Sequence, residues 1–145
     1  MSNTKLYDRD FYAWATEQAG LLRAGQLAQA DIENIAEEIE SMGRSEKREL
    51  VNRLTVLLLH LLKWQFQPGL RGNRWRGSIR VQRLSLASHL RDNPSLKAAL
   101  PAAIEDAYRV ALIEAGNETG LLESNFPAVC AWTFDQMMDE GFWPD

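Results

Sequence analysis

The sequence predicts an all-α, single-domain bundle of about five or six helices, built around a long helix near residues 31–66. Three observations lead there. Leu, Ala and Glu fill the periodic segments, and these residue types favour helix over strand. Apolar residues recur three and four positions apart, and no stretch alternates apolar with polar for long. The chain has 145 residues and a hydrophobic fraction of 46%, which suits one domain, residues 1–145, with a real core rather than a disordered chain.

The first helix is expected from Asp10 to Arg23, with Asp8 as N-cap and Gly25 past its end. Phe11, Trp14, Ala15, Gln18, Leu21 and Leu22 mark its buried face. Asp31 caps the next segment, which can run to Phe66 as one helix. Gly43 is its weak point, because glycine costs roughly 1 kcal/mol against alanine inside a helix, and Ser45 could restart the helix after a break at 43–45. In the first part Ile32, Ile35, Ala36, Ile39 and Met42 are expected to face the core. In the second part Leu50, Leu54, Leu57, Leu61 and Trp64 form one seam, and Val51, Leu58, Leu62 and Phe66 a neighbouring one. Two seams on one helix imply burial from several sides, so this part is central.

Pro68-Gly69 and Gly72-Asn73 make a loop before a helix from about Arg74 to Arg91. Asn93-Pro94 turns into a further helix that Pro101 kinks or restarts and that runs to about Ala115. Phe126-Pro127 opens the expected last helix, which ends before Gly141 and carries Cys130 as a buried packing residue. The aromatic tail, with Phe142 and Trp143, is expected to fold back onto the bundle rather than anchor a partner.

A lone cysteine, Cys130, excludes an internal disulfide or a multi-cysteine zinc site and suits a reducing cytoplasm. The N-terminus has no signal-peptide core, and no apolar run approaches the roughly 20 residues of a membrane span. Charge is segregated: residues 1–43 carry a net −5, residues 44–91 a net +9 and residues 92–145 a net −8. A basic centre between acidic flanks signals either a polyanionic partner or neutralisation within the fold or across an interface.

Metal and catalytic patterns are weak. Glu33, Glu37 and Glu40 share one helical face, with Arg44 four positions beyond Glu40, which reads as a solvated acidic stripe ending in an ion pair. The Glu-x-x-His pair of carboxylate-bridged bundles is missing, because Leu57 and Leu86 precede His60 and His89 by three. His60 and Lys63 lie on a polar strip that could hold an anion, although a lone histidine more simply hydrogen-bonds a neighbouring element. Ser85 and His89 are within reach of each other but lack an orienting acid and an oxyanion hole. No phosphate-binding glycine loop is present. Catalytic residues, metal and cofactor are therefore all expected to be absent. The strongest signal is basic: Arg76, Arg80, Arg83 and Arg91 on one helix, with Arg71 and Arg74 just before it and Trp75 interleaved. Arginine forks bind phosphate or carboxylate equally well.

Several segments carry a family resemblance. They are Tyr7–Trp14 (YDRDFYAW), Ile35–Gly43 (IAEEIESMG), His60–Pro68 (HLLKWQFQP), Trp75–Ile79 (WRGSI) with Gln82-Arg83, and Glu118–Leu121 (ETGL). In this order they resemble the bacterial family called domain of unknown function 29 over nearly the whole chain. Asn73-Arg74 before Trp75, and Ala131-Trp132 after Cys130, depart from its usual pattern. The resemblance implies a helical domain and a bacterial, cytoplasmic origin, and it carries no activity to transfer. The leading expectation is a non-enzymatic interaction or scaffold protein, as a homodimer or with a protein partner and away from membranes. The alternative is nucleic-acid association through residues 71–91, and an enzyme with a pocket near His60 stands third.

Overall fold

The computed structural model describes residues 3–145, with side chains from Leu6 onward. Among these residues all regular structure is helical. The α-helices are α1 (Asn3–Arg9), α2 (Phe11–Arg23), α3 (Ile32–Phe66), α4 (Asn73–Asp92), α5 (Leu100–Thr119) and α6 (Phe134–Met138), joined by short 3-10 turns. The residues fall into two compact units, one ending at Ser45 and one running Glu46–Asp145. The expected long helix is continuous through Gly43: a Cβ there would meet no atom within 4 Å, so nothing at this position forces a break.

The N-terminal unit is a helical hairpin with α1 added. Asp10, not Asp8, caps α2: its carboxylate accepts from the Ala13 amide at 3.1 Å, while Asp8 lies inside α1. Asp31 starts α3 and joins the two arms. It accepts from Asn34 Nδ2 at 2.8 Å and from the Trp14 indole at 3.1 Å, and its own amide donates to the Gln18 side chain at 2.7 Å. Tyr7 donates to Glu38 and packs edge-on to Trp14. Only Trp14 and Gln18 are buried among the described side chains of this unit. The expected core face of α3 is therefore corrected. Ile32, Ile39 and Met42 are 52%, 58% and 63% exposed, and Ala36 is also exposed. Phe11 and Leu22 of α2 are exposed as well. The apolar repeat is real, but the hydrogen bonds joining α2 to α3 converge on Asp31 and leave all of that repeat except half-buried Ile35 exposed.

The C-terminal unit holds the core. Leu50, Leu54, Leu57, Leu58, Leu61 and Leu62 have no exposed surface, and Ile79 and Leu86 of α4, Ala107 and Ala111 of α5 and Met137 of α6 meet them. Both expected seams of α3 are thus filled from several sides. Residues Pro94–Ala99 form a 3-10 turn before α5, which then extends past Ala115 to Thr119, where Gly120 adopts φ +76° as the left-handed C-cap. The last helix is corrected too. It begins at Phe134, where Thr133 and Gln136 form a reciprocal capping box. The segment around Pro127 is instead held by Tyr108, whose hydroxyl donates to the Pro127 carbonyl at 2.6 Å. Cys130 consequently lies outside any helix, half-buried against the core.

Candidate functional site

The basic stripe divides in two. Arg83 is 3% exposed and turns inward from α4. Its Nε donates to the Met137 carbonyl at 2.6 Å and its Nη2 to the Phe142 carbonyl at 2.8 Å. Arg71 donates to the Trp64 carbonyl at 2.7 Å and the Pro144 carbonyl at 3.2 Å. Trp143 and Trp64 pack with centroids 4.8 Å apart and rings tilted at 45°, and three guanidinium groups face their rings: Arg71 over Trp64, Arg83 over Trp143 and Arg76 over both. The arginines thus clasp the C-terminal tail, which folds back as expected, with Pro144 buried. Burial pulls the Arg83 guanidinium below its ordinary value, while Asp139 and Glu140 act in the opposite direction. Its partners are backbone carbonyls and an aromatic face rather than the carboxylates that charge segregation suggested. Arg83 Nη1 is buried without a hydrogen bond; the ring face of Trp143 lies beside this guanidinium.

Arg74 and Arg80 point outward and make no ion pair among the described residues, and Arg91 reaches only the Ser88 hydroxyl at 3.1 Å. Between them α4 exposes Val81 and Leu84, 55% and 65% accessible. Gly77, Val81, Leu84 and Ser88 follow four, three and four positions apart, which makes a single helical row with arginines on both sides. This mixed apolar and basic face was hidden in the sequence, where all the arginines counted as one stripe.

Lys63 gives its ammonium to Glu118 at 2.7 Å and lies 5.0 Å from the centre of the Trp75 ring, so its charge is already met. His60 Nδ1 donates to the Val56 carbonyl of its own helix at 2.8 Å. Burial, with Lys63 adding to it, pulls the His60 pKa below its ordinary value and so favours the neutral ring. These two residues do not form a cationic anion site. His89 is buried and donates from Nε2 to the Glu46 carbonyl at 2.8 Å. A cavity of about 680 Å³ lies beside α5, bounded by Ile104, Tyr108, Arg109 and Cys130. Its polar groups are engaged: Tyr108 on Pro127, Arg109 with Glu105 and Asp106, and the Cys130 thiol on the Trp132 carbonyl. Burial raises the Cys130 pKa, which disfavours the thiolate a nucleophile requires.

On the N-terminal unit Glu33, Glu37 and Glu40 are exposed. The ion pair expected between Glu40 and Arg44 forms instead from Glu37, at 3.0 Å. Among the described residues no group of three or more His, Cys, Asp or Glu is placed to hold a metal ion, and no helix is long and apolar enough to cross a membrane. Beside the acidic stripe lies a groove of about 430 Å³, walled by Phe11, Ala15, Leu22, Ile35, Ile39 and Met42.

Comparison with known proteins bears out the resemblance. The family model described as Domain of unknown function DUF29 matches residues 6–143. No curated protein and no solved structure matches.

Proposed function

We propose that this chain, which belongs to the domain of unknown function DUF29 family, is a non-enzymatic interaction protein that binds through the apolar face of its N-terminal hairpin. The observation carrying this reading is the exposure of Phe11, Leu22, Ile32, Ile39 and Met42 in a unit whose described side chains include only Trp14 and Gln18 as buried. Adjoining large apolar side chains on a protein surface mark sites of association.

Nucleic-acid association through residues 71–91 is the weaker reading. Arg71 and Arg83 spend their donors on carbonyls, and Arg76 faces two tryptophan rings. That leaves a sparse set of outward cations on an acidic protein. An enzyme gains little support, because the polar groups of the cavity beside α5 are engaged in hydrogen bonds and ion pairs.

The test is site-specific photo-crosslinking in the cells that make the protein. A benzophenone side chain at Met42 is expected to capture a protein, and the same probe at exposed Glu17, outside the groove, is expected to capture none. Equal and negligible adducts at both positions would retire the interaction reading.

A further inference from the structure

The interaction reading can be carried to a specific partner, because two unpartnered faces of this chain complement each other. On α3, Ile32, Ala36, Ile39 and Gly43 follow four, three and four positions apart, and all are exposed. Glu33 and Glu40 are helical neighbours of Ala36 and Gly43, at offsets of three and four, and so form the edge of that face. Neither glutamate makes an ion pair among the described residues. On α4 the row Gly77, Val81, Leu84 and Ser88, exposed except for half-buried Gly77, is bordered by Arg74, Arg80 and Arg91. One face is apolar with an acidic edge, and the other is apolar with basic edges. Each has small residues that let a second helix come close: Ala36 and Gly43 on α3, Gly77 and Ser88 on α4. Nothing within 4 Å would meet a Cβ at either Gly43 or Gly77.

We infer that the occupant of the hairpin face is α4 of a second copy of this chain, resting on the reading that the hairpin is an association surface. Apolar contact supplies the attraction, and the glutamate edge against the arginine edge sets the register and excludes pairing of a face with itself. Two hairpin faces brought together would align glutamate with glutamate, and two α4 faces arginine with arginine. The contact is heterologous, so every copy offers one face of each kind.

This arrangement makes an unusual prediction about mixtures. The double variant Glu33→Arg/Glu40→Arg reverses the acidic edge, and Arg80→Glu/Arg91→Glu reverses the basic edge. All four side chains are exposed, and among the described residues only Arg91 makes a hydrogen bond, to Ser88, so both variants should keep wild-type helicity by circular dichroism. In sedimentation velocity the wild-type protein is expected to associate, and each variant alone to sediment as monomer. Mixed in equal amounts, the two variants should associate again, because reversed edges meet each other and the remaining wild-type edges also meet. A contact within one chain cannot be rescued by mixing.

Three results would overturn the inference. A wild-type protein that stays monomeric excludes self-association, while crosslinking at Met42 still decides whether another protein fills the groove. Association that survives the α4 reversal means that copies join without α4. Variants that are monomeric alone and remain so when mixed show that the two edges do not meet.

Discussion

Arg83 shows how a charge can read as surface and serve as structure. Its spacing with Arg76 and Arg80 suggests a common outward stripe, but a few tens of degrees around α4 turns Arg83 into the core. Its partners lie on the tail, remote in sequence, and two of them are backbone carbonyls that composition cannot reveal. The aromatic residues Trp64 and Trp143 were the only legible sign, since guanidinium groups favour indole faces. Charge-assisted hydrogen bonds contribute about 1.5–3 kcal/mol each, so Arg83→Ala should lower stability by about 3–5 kcal/mol. Arg83→Lys keeps the charge but cannot fork to both carbonyls, so it should recover only part of that loss. Urea denaturation followed by tryptophan fluorescence would measure both. Equal stability of Arg83→Ala and wild type would mean that the tail does not depend on the clasp.

At the scale of elements, α3 holds the main lesson. Its apolar spacing is regular on both sides of Gly43, and the sequence gives no sign that only the second half is enclosed. Periodicity reports which face is apolar, and whether another element covers that face depends on tertiary packing. The leucine seams from Leu50 to Trp64 were legible because two adjacent seams demand neighbours on several sides. The last helix was misread for a different reason. Phe126-Pro127 resembles a helix start, whereas Thr133 and Gln136 supply the cap that is used. Asp31 is the element-scale hinge of the hairpin. Burial pushes its carboxyl up, but the hydrogen bonds from Asn34 and Trp14 outweigh this and hold its pKa below the ordinary value. A group lowered by folding stabilises the fold above its unfolded pKa, near 3.9 for aspartate, and that contribution is lost as pH falls through the lower folded value. The hairpin amides should therefore lose hydrogen-exchange protection in acid below that value. Asp31→Asn should remove this part of the dependence. Protection in the hairpin that is identical for wild type and Asp31→Asn across the acid range would contradict the assignment.

For the molecule as a whole, segregated charge was visible at once, but its use was not. Part of the basic centre clasps the tail, part pairs with glutamates, and Arg74, Arg80 and Arg91 of α4 face outward. The hairpin offers an apolar surface that its own helices leave open, and α4 offers a surface of matching character. Self-association through the hairpin is the central claim. Its most direct test is sedimentation velocity of the wild-type chain beside Ile39→Glu/Met42→Glu across the micromolar range. Both substituted side chains are exposed, so the variant keeps its fold. The wild type is predicted to sediment above the monomer and to shift with concentration, while the variant stays a monomer throughout. Identical sedimentation of the two proteins at every concentration would contradict self-association through the hairpin.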